Sequence, residues 1–384
     1  MSLHQIRMAT DADREALENI WDYCFHDGET FQRWYFSQYY RKEECIVGCV
    51  NDVPVASLQV IDLPTRVKGQ NLRAGYIVGV DCLPEYRGMG FTRRLMEEAL
   101  YHYAPEHDLQ LLHLMPFEAD FYEPYGFVFS DYHFKMELDI EEFYRPGSRE
   151  MAHAFSWEHV DLASLDRWLP VLEQVYERCT QQYDICVLRK GMRRWRALAD
   201  DLAMEGGYLK LLYDESHQPM GLLAYIMKEE AIFVREALAY DARARQAIYY
   251  YIASHRSQVK RVQWSAPEDE PIAFRRKKDK DGVMYQPFMM NLILDPMILP
   301  LFASAMPEKD LAFSVEGCGT FRWLAHSLHI EKVSKDVHGP ILNGRQLTQM
   351  VFDRSWMPLE DEAVLSSMAA LFTRKMVNFN NEYF

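Results

Sequence analysis

The segment "PEYRGMGFTRR" (residues 84–94) places two glycines and an arginine between two regular patterns. Before it, residues 74–83 ("AGYIVGVDCL") are nearly all apolar, which is typical of a strand covered on both faces. After it, apolar residues recur at helical spacing over 91–103, and "LQLLHLM" (109–115) predicts a second strand. The order of strand, glycine turn, helix and strand is a crossover unit within a mostly antiparallel set. The predicted fold class is therefore α/β (α+β), with mixed central sheets flanked by helices.

A glycine turn that leads from a strand into a helix is suited to bind an anion. It directs several backbone N–H groups and the positive end of the helix dipole at one position. Gly88 and Gly90 let the backbone approach a pyrophosphate, and Arg87 adds a charge-assisted contact. A tight corner without a ligand is the alternative interpretation. The spacing matches neither the Rossmann fingerprint nor a P-loop, which argues against nicotinamide cofactors and nucleoside triphosphates.

The succession of patterns predicts three domains, at 1–147, 148–283 and 284–384. The second domain repeats the element order of the first, which indicates a diverged internal duplication. Where the first copy has its glycines, the second has "DARAR" (241–245), so we expect no direct backbone contact with a phosphate there. The third domain alternates strand-like and helical pieces and is predicted to be a small α+β unit.

Composition restricts the classes of partner. The net charge of −15 disfavours nucleic acid and anionic membrane surfaces and suits an amine. The basic run at 275–282 ("RRKKDKDG") is interpreted as a solvated connector, and the apolar stretch 287–306 contains polar residues and prolines that argue against a membrane span. Seven cysteines without C-x-x-C spacing predict reduced thiols in a cytoplasmic protein, with no metal site.

The quoted segment resembles the acyl-CoA pyrophosphate-binding motif of the GNAT superfamily of N-acetyltransferases. Its pattern R-x-x-G-x-G/A begins at Arg87 and departs from the family only at Thr92, which stands where Gly or Ala is usual. "FYEPYGF" (121–127) resembles the aromatic segment of the same superfamily. The layout of two acetyltransferase copies, only one with the motif, and a C-terminal domain similar to sterol carrier proteins resembles the enhanced-intracellular-survival (Eis) family.

This resemblance implies an acetyl-CoA-dependent N-acetyltransferase whose acceptor is an aminoglycoside-like or lysine-like primary amine. It also implies a homo-oligomer, hexameric in similar proteins. The implied site residues fall into three groups. Acetyl-CoA is assigned to Val80, Asp81, Cys82, Arg87, Gly88, Met89, Gly90, Phe91, Thr92, Phe117 and Glu118; catalysis to Tyr122 and to the terminal carboxylate of Phe384; and the amine to Asp27 and Trp34.

The chemistry of these groups supports the assignment only in part. A tyrosine with a pKa near 10 is able to protonate a leaving thiolate, but Tyr122 is equally well interpreted as a packed aromatic residue. A terminal carboxylate is a weak base, so Phe384 orients the ammonium or acts through water, and His113 and Glu118 are the fallback bases. The alternative function is a lipid- or CoA-binding regulatory or scaffold protein without turnover. A peptide or protein acetyltransferase is a third possibility.

Overall fold

The computed structural model describes residues 4–275, 281–334, 339–353, 363–372 and 376–380. Within these residues the chain forms two compact units. The first unit is drawn from residues 1–130 and 288–375, and the second from 131–287 and 376–382. The first unit is therefore discontinuous in sequence, because the chain leaves it near residue 130 and returns to it at residue 288.

The elements of the first third of the chain follow in order. They are β1 (His4–Met8), α1 (Arg14–Phe25), α2 (Glu29–Trp34), β2 (Cys45–Val50), β3 (Val53–Asp62), β4 (Thr65–Val67), β5 (Gln70–Leu72), β6 (Ala74–Cys82), α3 (Phe91–Glu98), α4 (Ala104–Glu106), β7 (Leu111–Leu114), α5 (Ala119–Tyr122) and β8 (Val128–Asp139). A capping box of Thr10 and Asp13 is present before α1, where it satisfies backbone N–H groups that the first turn leaves without partners.

The remaining elements belong to the second and third predicted regions. They are α6 (Ser148–Ala152), β9 (Phe155–His159), α7 (Leu165–Thr180), β10 (Ile185–Val187), α8 (Met192–Met204), β11 (Tyr208–Asp214), β12 (Pro219–Lys228), β13 (Ala231–Ala239), α9 (Ala242–Ala253), β14 (Arg261–Pro267), β15 (Gly282–Ile293), α10 (Leu299–Phe302), β16 (Leu311–Val315), β17 (Gly319–Trp323), β18 (Ile330–Val333), β19 (Ile341–Leu342), α11 (Gly344–Phe352), α12 (Ala363–Ala369) and β20 (Asn378–Phe379).

The main sheet of the first unit has the order β1, β2, β3, β6, β7 and β15. Its neighbours are antiparallel except for β6 and β7, which are parallel and are joined through α3. The strands are almost continuously apolar because helices cover the sheet, and α3 buries Phe91, Leu95 and Met96 against it. The predicted crossover unit is confirmed.

The main sheet of the second unit repeats this arrangement, with the order β8, β14, β13, β12, β11 and β9. Here β13 and β14 are the parallel pair, and α9 is the crossover helix between them. Its core contains the apolar face of α9 and a second cluster around α7 and α8. The predicted tandem duplication is confirmed at the level of the elements.

The third region adds a small sheet in the order β18, β17, β16 and β19 to the first unit. The apolar stretch that begins at residue 287 is ordinary core, because β15 buries residues 288–293. In the described ranges of the chain, no helix combines the length and the apolar character that crossing a bilayer requires.

Candidate active site

The parallel strands β6 and β7 separate at the candidate site. Their ladder runs from Ala74, paired with Leu111, to Ile77, paired with Leu114. β7 ends there, whereas β6 continues to Cys82. Over residues 78–82, the edge of β6 away from β3 therefore has no neighbouring strand in the described part of the chain. Backbone N–H and C=O groups require partners, so this open edge is able to bind an extended ligand as a further strand would.

A β-bulge distorts the other edge of β6. Ser57 of β3 faces Asp81, but the next pair along the ladder is Gln59 and Val78, so the register shifts between them. The carboxylate of Asp81 accepts hydrogen bonds from the backbone N–H of Ser57 at 2.6 Å and from its hydroxyl at 2.9 Å. Asp81 is only 4% exposed, and burial raises the pKa of its carboxyl to about 7. The Asp81 side chain therefore provides a hydrogen-bond partner for the backbone N–H of Ser57 beside the bulge.

Trp21 of α1 covers the bulge. Gly79 has φ of +63°, and a Cβ atom added to it lies 2.6 Å from Cζ3 of Trp21. Any other residue at position 79 both strains the backbone and displaces the indole ring. The ring of Trp21 also stacks on Tyr35, with 4.5 Å between centroids, and Tyr35 donates from its hydroxyl to Gln59 at 2.9 Å. The N-terminal helices are thus fixed to the bulged part of the sheet.

The glycine turn begins where β6 ends. Gly88 and Gly90 have φ of +76° and +78°, and Gly90 is the residue that precedes α3. A Cβ atom added to either glycine meets no atom within 4 Å, so open space lies beside the backbone here. Arg87 donates from Nε to the carbonyl oxygen of Cys82 at 3.1 Å, which ties the turn to the end of the open edge. Met89 is 52% exposed.

The amides at the start of α3 are available to a ligand. In the turn, the N–H of Met89 donates to the carbonyl of Tyr86 at 3.3 Å, and the next backbone donor with an acceptor in the described chain is Arg94, which bonds to the carbonyl of Gly90 at 3.1 Å. Phe91 is buried, so it contributes its backbone N–H rather than its ring, and Thr92 follows in the first turn. Unsatisfied N–H groups at a helix N-terminus attract phosphate oxygens. These N–H groups are the ones that the sequence analysis assigns to a phosphate.

Tyr122 is the last residue of the short helix α5 and is buried against aromatic rings. The ring centroids of Phe117 and Phe121 lie 6.0 Å and 4.9 Å from its own. Burial raises the pKa of the Tyr122 hydroxyl to about 12. No partner for this hydroxyl is found within the described ranges. The group is protonated at neutral pH and its hydrogen-bonding capacity is unused, as a proton donor to a bound molecule requires.

The predicted amine contacts lie near the ends of α1 and α2. Asp27 is exposed, and its Oδ2 accepts a hydrogen bond from the indole N–H of Trp21 at 3.1 Å. Trp34 stacks on Tyr39, with 5.9 Å between centroids, and is half-buried. Trp21 thus connects Asp27 directly to the bulge of β6, whereas Trp34 belongs to the aromatic cluster beside it.

The fallback bases differ in position. His113 is buried, and both of its ring nitrogens are engaged, with Thr65 Oγ1 at 2.8 Å and Asn291 Oδ1 at 2.6 Å. This arrangement joins β7 to β4 and β15, so His113 has a structural role. Phe117 and Glu118 are exposed beside α5, where Glu118 precedes the helix without capping it.

One hydrophobic cluster brings several of the predicted residues together. It contains Cys82, Phe91 and Tyr122, and Val80 packs against it. Phe384 lies outside the described residues. Over the ranges that the structure describes, no group of three His, Cys, Asp or Glu side chains is placed to hold a metal ion.

The second unit has a different feature at the equivalent junction. Asp241 lies between β13 and α9, and its carboxylate accepts from the backbone N–H of Ala244 at 2.8 Å. This carboxylate caps the helix, so the N–H of Ala244 is not available to a phosphate. The expectation that no phosphate contacts the backbone here therefore gains a second reason, in addition to the lack of glycine.

Sequence reasoning missed three residues that shape the site. Trp21 and Ser57 support the bulge, and Arg94 places its guanidinium over the ring of Phe91, with 4.6 Å to the centroid. The available signal was Gly79, a glycine within an otherwise apolar strand, which is typical of a bulge or a close approach.

Comparison with known proteins agrees with this geometry. Residues 5–129 and residues 186–292 each match a family model described as an acetyltransferase (GNAT) domain. No curated protein sequence matches the chain. Among solved structures, the chain is similar to a conserved protein of unknown function from Enterococcus faecalis V583, described as a probable N-acyltransferase, with a TM-score of 0.81, 16% identity and full coverage of both chains.

Two further structures are similar over nearly their whole length. A GCN5-related N-acetyltransferase from Anabaena variabilis has a TM-score of 0.81 at 18% identity and covers 98% of this chain and 99% of its own. Eis1 from Mycobacterium abscessus has a TM-score of 0.74 at 13% identity, with full coverage of both chains. At these identities the likeness establishes the fold. Together with the two family matches, it shows that the chain contains two GNAT acetyltransferase domains in tandem and is a transferase.

Proposed function

We propose that the chain transfers an acetyl group from acetyl-CoA directly to a primary amine of the aminoglycoside or lysine kind. One observation carries this proposal: the open edge of β6 leads directly into the glycine turn, whose backbone amides are available to a ligand. The edge ends at Cys82, and the carbonyl of Cys82 accepts from Arg87 of the turn. An extended pantetheine arm fits the edge over Val80, Asp81 and Cys82, and a diphosphate fits the open space beside Gly88 and Gly90.

The proposed reaction is a direct displacement. The neutral amine nitrogen attacks the thioester carbonyl carbon, the C–N bond forms, and the C–S bond breaks as the tetrahedral oxyanion collapses. Backbone N–H groups of the β6 edge stabilise the oxyanion. The Tyr122 hydroxyl donates its proton to the departing sulfur, the nitrogen loses a proton to solvent, and the tyrosinate regains a proton from solvent. Because burial raises the pKa of Tyr122 to about 12, the hydroxyl is protonated before the reaction begins.

The acceptor side of the site is assigned to the α1–α2 region. An ammonium is attracted to the carboxylate of Asp27 and to the aromatic face of Trp34. The carboxylate of Phe384 is proposed to orient the same ammonium or to act through water, as the Eis resemblance implies.

Several wider assignments belong to this proposal. The domain boundaries at 1–147, 148–283 and 284–384 and the likeness of the third domain to sterol carrier proteins are retained. The mixed sheet of β16 to β19 with α11 and α12 is compatible with that likeness. We also propose a homo-oligomer with hexameric assembly, and a cytoplasmic location. The seven free thiols support the cytoplasmic location.

The proposal is tested by measuring thiol release from acetyl-CoA in the presence of aminoglycosides, polyamines and lysine peptides. We expect release that depends on both the acceptor and the protein. Calorimetric titration with CoA accompanies the assay. CoA binding without thiol release for any acceptor supports the regulatory alternative, and the lack of both contradicts the assignment of the turn.

A further inference from the structure

A cavity of about 400 Å³ lies in the second unit, near the start of α9. Residues on its wall include Arg145, Tyr240, Asp241, Arg245, Phe274 and Arg275. The volume is within the range of small-molecule sites. Three guanidinium groups at one cavity are unusual in a chain whose net charge is −15.

The three guanidinium groups have few partners in the protein. Arg275 donates from Nη1 to the carbonyl oxygen of Glu142 at 3.1 Å. Within the described ranges, neither Arg145 nor Arg245 has a side-chain hydrogen bond or a carboxylate oxygen within 4.0 Å. Each guanidinium carries five N–H donors, so most of the donors around the cavity are available.

The charged side chains on the wall itself are three arginines and one aspartate. Nearby acids that do not line the cavity offset part of this charge. Burial and the acids Glu270 and Asp269 act in opposite directions on Arg245, and the net effect raises the pKa of its guanidinium. Glu270 also accepts a hydrogen bond from the Tyr249 hydroxyl.

The acid on the wall is already engaged. Asp241 uses its carboxylate to cap α9 through the N–H of Ala244. Two aromatic residues, Tyr240 and Phe274, are 45% and 71% exposed at the same cavity. The guanidinium of Arg178 lies over the Tyr240 ring at 3.8 Å from its centroid, so Phe274 is the ring of the wall that a ligand is able to contact. Guanidinium forks beside this ring are suited to a ligand that carries both phosphate and an apolar portion.

We propose that the second unit binds a small phosphorylated ligand in this cavity, with Arg145, Arg245 and Arg275 as its phosphate contacts. The first copy of the fold offers backbone amides to a diphosphate, because its turn contains glycine. The second copy has lost that turn and offers side-chain guanidinium groups instead. This proposal does not depend on the assignment of acetyl transfer to the first copy.

Isothermal titration of the full chain with inorganic pyrophosphate tests the proposal, with CoA present at saturation because the turn of the first copy is itself assigned to a diphosphate. The variants are R145Q, R145Q/R275Q and, as a matched control, R167Q, which removes one charge from an exposed position on α7 of the same unit. We expect at least a tenfold weaker pyrophosphate affinity in R145Q/R275Q, a smaller loss in R145Q, and wild-type affinity in R167Q. Because Arg145 is exposed, R145Q retains the fold, which the unfolding midpoint verifies.

Two further measurements separate the sites and the ligand class. CoA titration is expected to give the same affinity in all four proteins, so a failure of the acetyl-CoA assignment is seen independently of the second cavity. Citrate is the carboxylate probe. Wild-type pyrophosphate affinity in R145Q/R275Q, the lack of pyrophosphate binding to wild type, or tight citrate binding without pyrophosphate binding overturns the proposal.

Discussion

The indole N–H of Trp21 donates to the carboxylate of Asp27 at 3.1 Å, while the same ring covers Gly79 in the bulge of β6. One side chain therefore fixes both the predicted amine contact and the irregular strand that presents the open edge. The proposed acceptor site and the proposed donor site are thus linked through Trp21, and a substitution that removes only its N–H tests the two contacts separately.

Trp21→Phe removes the N–H and retains an aromatic ring over Gly79. We expect the KM for the amine to rise about fivefold, since a net hydrogen bond is worth about 1 kcal/mol. The KM for acetyl-CoA is expected to stay within twofold of wild type, as measured by thiol release. Trp168→Phe, at a half-buried position of α7, is the matched control. Equal rises in both KM values show that Trp21 acts only on the fold.

Tyr122→Phe removes the proposed proton donor. We expect kcat to fall by about 10² to 10⁴, the usual range for general acid catalysis. The unfolding midpoint is expected to change little, because the hydroxyl has no partner among the residues the structure describes. Tyr125→Phe is the control, since Tyr125 is a neighbouring, less buried tyrosine. Undiminished turnover in Tyr122→Phe removes this residue from the mechanism.

Gly90→Ala tests the turn. The φ of +78° costs a residue with a Cβ roughly 1–2 kcal/mol, while the open space beside Gly90 accommodates the methyl group. We expect CoA affinity to fall about tenfold because the available amides shift. Gly147→Ala carries the same backbone cost, since Gly147 has φ of +81° and also has open space around it, but it precedes α6 in the second unit. Similar CoA affinities in the two variants contradict the role of the turn.

Asp81 gives a pH dependence of stability with an unusual sign. Its folded-state pKa is raised from 3.8 to about 7, so the unfolded chain loses this proton first as the pH rises. Asp81 therefore lowers the free energy of unfolding progressively between about pH 4 and pH 7, by on the order of 4 kcal/mol if the whole shift is realised.

Asp81→Asn is expected to remove this decline. The difference in unfolding midpoint between Asp81→Asn and wild type should increase from pH 5 to pH 8 and level off above it. Asp120→Asn, at an exposed position in α5, is the control and should show a constant difference. A constant difference for Asp81→Asn as well indicates that the carboxyl is ionised throughout.

The local elements were predictable from the sequence because their signals are local. The apolar run of residues 74–83 and the glycine turn predicted β6 and the start of α3, and the repeated order predicted the second copy. The boundary predicted after residue 147 falls directly before α6, which Gly147 precedes with φ of +81°.

Long-range pairing was not predictable in the same way. β15 completes the sheet of the first unit beside β7, with Met290 facing Leu114 and Asn291 facing His113. Neither strand carries a signal for its partner, because an apolar strand is compatible with many neighbours. The roles of Trp21 and Ser57 were likewise hidden, since they depend on a bulge whose only trace in the sequence is Gly79.

The late return of β15 also affects how the protein is made. During synthesis β7 emerges early, but the strand that covers its outer edge is translated only after the whole second copy. Until then the nascent first copy exposes a row of unpaired backbone groups, the feature by which sheets join edge to edge and aggregate. A truncated polypeptide that stops before β15 is therefore a poor substitute for the intact protein in expression and in assays.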